Sequence, residues 1–196
     1  MADKKSLLIV ITPQDIHPDE AKYIAILLDG GATFVHLRHP GATYSDMKRL
    51  IEAIPQRYHS RLRLHGHFEL LNEFNLGGIH LNSRCPQAPQ LYNGSVSRTC
   101  HSVEEVNEAA RNVDFVTLSP VCDSISKAHY KGAFTHGQLS SLPIGKVVAL
   151  GGITSENISV LKQYPFIGYA VLGYIWSAQT ADELKQRLYK LTSVIS

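Results

Sequence analysis

The chain is short of several residue types. Its 196 residues include 3 cysteines, 1 tryptophan and 2 methionines, and only 18% of positions are charged. Cys85, Cys100 and Cys122 are odd in number, widely spaced and in no CxxC pair, so the sequence does not indicate a disulfide framework. No apolar run approaches the roughly 18 residues that a membrane span needs. The opening MADKKSLLIVITP puts a brief apolar run between charges and Pro13, which is expected to form a strand rather than an export signal. Basic and acidic residues, 19 and 17, are interleaved and leave a formal charge of +2. That pattern lacks the basic stretch by which nucleic acid or an anionic membrane surface is held. A 44% hydrophobic fraction with so little charge also excludes a disordered chain. One domain spanning 1–196 is expected, cytoplasmic, with homo-oligomer formation left open. An anionic ligand would have to be bound by local geometry rather than by bulk charge.

What the chain does have is alternation. Short β-rich runs at 7–12, 33–38, 61–65, 78–82, 94–99, 114–119, 146–150 and 168–172 are separated by helical patterns. The helical patterns lie at 19–28, 44–54, 68–76, 103–111, 157–163 and 181–194, with stops at Gly30-Gly31, Pro55 and Gly77-Gly78. Two connections differ: SRCPQAPQLYNG after Asn82 has room for at most one helical turn, and a loop follows Ser119. Ser102-Val-Glu-Glu105 has the form of a capping box and predicts that the fifth strand passes directly into a helix. Repeated strand–helix units imply an α/β fold, a compact (β/α)8 TIM barrel with parallel strands, and an open doubly wound sheet is the alternative.

In such a barrel the chemistry sits where strands end. The residues there include Thr12, His36, Arg38, His39, His65, His67, His80, Thr99, His101 and Ser119, and six of the 10 histidines are in this set. ALGGITSEN ends a strand in Gly151-Gly152 before a helix, and Gly173 follows the next strand, a pairing that suits a phosphate. Ser124, Ser126 and Lys127 lie in the loop after the sixth strand and could close over an anion, although a polar surface loop would read the same way. Arg38 ends a strand that reads as buried and needs an anionic partner, either a ligand or a structural carboxylate. No HExxH-like spacing occurs among the histidines, so no metal site is expected and acid–base work is the preferred role.

The ordered set VHLR, GGIHL, T-C-H-S, SP followed by S-x-S-K, and ALGGI-x-x-x-N resembles the thiamine phosphate synthase and thiazole tautomerase superfamily, from Ile9 to about Ser177. The resemblance implies a compact (β/α)8 barrel binding a thiazole phosphate or thiamine phosphate, with the phosphate at Gly151, Gly152 and Gly173. The family's V-Q-L-R-E-K strand end reads Val35-His36-Leu37-Arg38-His39-Pro40 here, so the arginine is kept while the glutamine and lysine are not. Its S-x-H-S turn reads Thr99-Cys100-His101-Ser102, and its hydroxyl-rich loop keeps Ser124, Ser126 and Lys127. The synthase uses Mg²⁺ held by two aspartates. Those positions align with His65-Gly66 and with Asn82-Ser83-Arg84-Cys85, and neither Glu69 nor Asp123 stands at a ligand position.

This pattern favours the family's cofactor-free activity, thiazole tautomerisation, with His65 as the base and His36 and His101 as further candidates. His65 leads because it replaces a residue that faces the pocket in the family. The histidine usual in the tautomerases is replaced here by Pro120, so the base would have to be recruited elsewhere. The second reading is a working thiamine phosphate synthase, joining a pyrimidine diphosphate to the thiazole phosphate with release of pyrophosphate and then requiring Mg²⁺. The third is a non-catalytic regulator that retains only the phosphate pocket.

Overall fold

The computed structural model describes residues 6–122 and 134–195. Its strands are β1 (Leu7–Ile11), β2 (Phe34–Leu37), β3 (Leu62–Leu64), β4 (Gly78–Leu81), β5 (Val96–Cys100), β6 (Phe115–Leu118), β7 (Val147–Leu150) and β8 (Phe166–Val171). They pair in chain order, and β8 closes on β1 as a parallel barrel. The expected closed topology is therefore present and the open sheet is not. Segments such as LLIVI and VVAL supply branched side chains that fit a pleated surface covered on both faces.

Alternation along the strands divides the apolar residues into two groups. One set, including Leu8, Val10, Val35, Leu37 and Val147, faces outward into the main core beneath the helices. The other, Ile9, Ile11, Phe115, Val148 and Ala170, fills the barrel interior from β1, β6, β7 and β8. The opposite half of the interior is polar: His36, Arg63, His80 and Ser97 on β2 to β5 are all buried.

Helices α1 (Glu20–Asp29), α2 (Tyr44–Ala53), α3 (Val103–Ala109), α4 (His136–Ser140), α5 (Ile158–Leu161), α6 (Gly173–Trp176) and α7 (Ala181–Ile195) run between or after the strands. In α7, Leu184, Leu188, Leu191 and Ile195 recur at helical spacing and are buried together. Thr43 starts α2 with a complete capping box. The cap of α3 differs from expectation: Ser102 accepts from the Glu105 amide at 3.2 Å, but Glu105 reaches one residue further back, to the amide of His101 at 2.7 Å. The helix expected over 68–76 is instead a short 3₁₀ segment, Phe68–Asn72, in which only Leu70 is buried, too small an apolar face to hold a longer helix. Between β4 and β5 the chain forms turns, in keeping with its prolines. No helix among the described residues is long and apolar enough to cross a membrane.

Candidate functional site

At the C-terminal ends of the strands lies a cavity of about 610 Å³ whose wall includes Arg38, His39, His65, His67, Thr99 and His101. Arg84, Cys85, Ser119 and Gly151 also line it. No carboxylate is among the described residues of this wall. Arg38 forms no salt bridge among the described residues, although its amide donates to Thr12 Oγ1 at 2.8 Å. Arg38 thus lines the cavity without a structural carboxylate, and the described residues of the wall carry cationic side chains and no anionic ones.

His65 is half-buried at the cavity wall, whereas His36 and His80 are fully buried beneath it. Their placement follows from register, since β2 and β3 pair His36 with Arg63, and His65 follows β3. His36 Nδ1 lies 2.9 Å from His65 Nε2, and the His65 and His80 rings stack with centroids 4.3 Å apart. Ser97 donates its hydroxyl proton to the Ile79 carbonyl at 3.2 Å, so it can only accept from His80 Nδ1 at 2.8 Å. Neutral His80 then carries its lone pair on Nε2, which faces the Thr99 hydroxyl at 2.7 Å.

These rings are held uncharged. Burial lowers the His80 pKa to about 3, with the nearby Arg63 guanidinium adding to the effect. His36 is driven well below 6.5 by burial, then by His80 and Arg63. His65 is also driven well below 6.5, by burial first, then by His80, His36, Arg38 and His39. At neutral pH, uncharged rings can accept a proton or donate a lone pair. Arg63 itself is buried, its guanidinium 4.2 Å from the Phe34 ring centroid, and burial also lowers its pKa.

The remaining candidates are dispersed. His101 is exposed, with Nδ1 2.9 Å from the Ser119 carbonyl, where it donates and leaves Nε2 uncommitted by that bond. His36 does not line the cavity and acts on it only through His65. Thr99 reaches both the wall and His80. Ser124, Ser126 and Lys127 lie outside the described residues. Gly151, Gly152 and Gly173 share a second hollow, of about 250 Å³, between the ends of β7 and β8. Gly151 and Gly152 have φ of +94° and +62°, the left-handed region that glycine enters without strain. Asn157 secures this turn, donating to the Gly152 carbonyl at 2.8 Å and accepting from the Thr154 amide at 3.0 Å.

His39 Nε2 lies 2.8 Å from the Glu20 carboxylate and 3.1 Å from Thr12 Oγ1, with both side chains fully enclosed. Glu20 reads in sequence only as a favourable first-turn residue of α1, and the one available signal was a strand-end histidine needing a partner.

The synthase's Mg²⁺ does not fit these residues. A hard cation takes oxygen ligands, chiefly carboxylates. The described wall has no carboxylate: it offers guanidinium and imidazole groups and neutral oxygens from Asn82, Ser83, Thr99 and Ser119, with Gly66 and Ser83 near the positions where the family places aspartate.

Comparison with known proteins supplies the family. The model of the family described as thiamine monophosphate synthase matches residues 7–175. A crystal structure of thiamine phosphate pyrophosphorylase from Bacteroides thetaiotaomicron is 36% identical, covers 96% of each chain and superposes with a TM-score of 0.86. The thiamine-phosphate synthase of Limosilactobacillus reuteri is 24% identical over 96% of this chain and 99% of its own. That of Pyrococcus abyssi is 26% identical over 96% of this chain and 95% of its own. These relatives carry the synthase's name, not the tautomerase's, and so favour the second of the three sequence readings over the first. With the matched residues running through all eight strands, the chain belongs to the thiamine monophosphate synthase family.

Proposed function

We propose that this protein works in thiamine biosynthesis as a thiamine phosphate synthase, joining a pyrimidine diphosphate to a thiazole phosphate at the barrel mouth. The observation that carries this reading is the basic cavity: two anionic substrates meet a wall holding Arg38 and Arg84 with no carboxylate among its described residues. In the condensation the thiazole ring nitrogen bonds to the pyrimidine's methylene carbon as that carbon's bond to the diphosphate oxygen breaks, and negative charge is left on the departing pyrophosphate. Fixed cationic donors aimed at that charge stabilise it more than they stabilise the bound substrate. Arg38, half-buried in the wall, is the donor better held for this, and the exposed Arg84 adds positive charge at the mouth. The glycine turn at Gly151 and Gly152, held by Asn157, supplies the neighbouring hollow for the thiazole phosphate. No step is assigned to Mg²⁺, because the described residues of the wall do not provide its carboxylate ligands.

A second reading has its own support. The uncharged His65, in contact with His36, is an acid–base pair at the cavity wall, which is what metal-free thiazole tautomerisation needs. Here His65 would exchange the proton with the ligand and His36 would position it.

The deciding experiment supplies both substrates to purified protein and follows thiamine phosphate, with Mg²⁺ and with a chelator, alongside a tautomerase assay on the same sample. Thiamine phosphate formation is expected, and its loss in Arg38→Ala would tie it to the basic wall. Thiazole isomerisation without condensation would replace the synthase reading with the tautomerase one. Tight binding of the thiazole phosphate with neither turnover would leave a non-catalytic binder.

A further inference from the structure

We propose that His36, His65 and His80 form a site for one first-row transition-metal ion of the zinc type just beneath the mouth cavity, reached through His65. This inference does not depend on which reaction the protein performs. Each of the three residues offers one ring nitrogen, and these nitrogens lie within 4.8 Å of one another. The closest pair, His36 Nδ1 and His65 Nε2, is 2.9 Å apart. Two nitrogens each ~2.0–2.1 Å from a tetrahedral ion are about 3.3 Å apart, so this pair needs only a slight opening. The ion would replace the hydrogen bond that now joins them.

The chemistry of the donors selects the metal. Three imidazoles without a carboxylate suit zinc, cobalt, nickel or copper and not magnesium or calcium. His80 already has the outer partner that a metal-bound histidine usually needs, since its Nδ1–H is committed to Ser97 and its lone pair is on Nε2. Thr99, now on that nitrogen, would turn its hydroxyl away. His36 would bind through Nδ1, which leaves its proton on Nε2, an atom buried with no hydrogen-bond partner among the described residues, so of the two fully buried rings only His80 has its outer partner. Because His65 lines the cavity, an ion can enter from the mouth, and its remaining coordination position is open to water or to an anionic ligand. Arg63 and Arg38 both act electrostatically on the cluster and oppose a bare cation. An anion in the open position offsets that repulsion.

The test uses full-length protein stripped with a chelator, dialysed and titrated with Co²⁺, read by visible absorption, and then displaced by Zn²⁺. One ion per chain with the absorption of a low-coordinate nitrogen site is expected. Ser97→Ala should weaken binding about tenfold by freeing the His80 ring, with unchanged circular dichroism. His65→Asn, at the cavity wall, should abolish the cobalt band, and so should His80→Asn. If His80→Asn fails to fold, the Ser97 and His65 variants carry the test. A folded wild-type protein that takes up no Co²⁺ or Zn²⁺ overturns the proposal, as does binding left unchanged in the His65 and Ser97 variants. Thiazole phosphate binding measured in chelator reports on the phosphate hollow alone, so failure of the metal site and failure of the functional reading are separable.

Discussion

A thiol reacts through its thiolate, so burial and neighbouring charge decide which cysteine is modified. Burial, with Glu105 adding to it, pushes the Cys100 thiol up to about 11, and its side chain, on the last residue of β5, is fully buried. Cys85 is half-buried on the cavity wall. Iodoacetamide at pH 8, followed by peptide mass spectrometry, should label Cys85 well before Cys100, and a saturating anionic ligand should slow it. Equal rates at both positions would mean that the β5 side of the barrel opens on the labelling timescale. The same residue-scale reasoning separates two glycines. A Cβ on Gly151 would lie 2.7 Å from Pro120 Cα on a backbone at φ +94°, whereas one on Gly173 would meet nothing within 4 Å. Gly151→Ala should therefore cost roughly 1–3 kcal/mol in urea unfolding and Gly173→Ala much less. Similar losses at both positions would contradict the conformation assigned to the turn.

Among the elements, the β7–α5 connection shows most directly how sequence becomes site. Asn157 closes the turn with two hydrogen bonds and is itself buried. Asn157→Ala leaves the Gly152 carbonyl and the Thr154 amide without this partner, so a loss of about 1–3 kcal/mol is expected, together with weaker binding of the thiazole phosphate. Calorimetric affinity that is unchanged in a variant destabilised by that amount would detach the turn from the anion hollow. This element was legible in sequence because its motif is local: a strand, two glycines and an asparagine five residues later fix one another. The eight strands were legible for the same reason, each being a short β-rich run between breakers. The 3₁₀ segment Phe68–Asn72 was not, because its length depends on how much apolar surface it finds in the barrel, and a helical pattern cannot show that. The histidine cluster lies between these cases. Sequence placed its members at strand ends, but their contacts come from register between β2, β3 and β4, which joins residues 29 positions apart. The enclosed Glu20–His39 pair depends on the packing of α1 over the barrel end and left only a lone histidine to notice.

At the scale of the molecule, the barrel interior is split between an apolar half and a half that buries uncharged histidines beside Arg63. That division couples folding to pH. In the unfolded chain an imidazole takes up a proton near 6.5, whereas in the folded barrel His80 does so only near 3, and His36 and His65 are also driven well below 6.5. Below 6.5 the unfolded state therefore binds more protons than the folded one, and stability must fall as pH drops. The contribution is fully present above about 6.5 and is lost progressively towards the folded values, by about 1.4 kcal/mol per pH unit for each ring kept neutral. Urea unfolding in chelator, so that no metal competes with the proton, should show midpoints that are flat from pH 8 to 7 and then decline steadily between pH 6 and 5. Most of this window lies above the range in which ordinary carboxylates titrate. His80→Gln should flatten part of that decline even where it lowers stability at pH 8. A midpoint unchanged from pH 7 to 5 would mean that the barrel admits water to these rings or lets them charge in place. The polar half of the interior would then be a solvated extension of the mouth rather than part of the core.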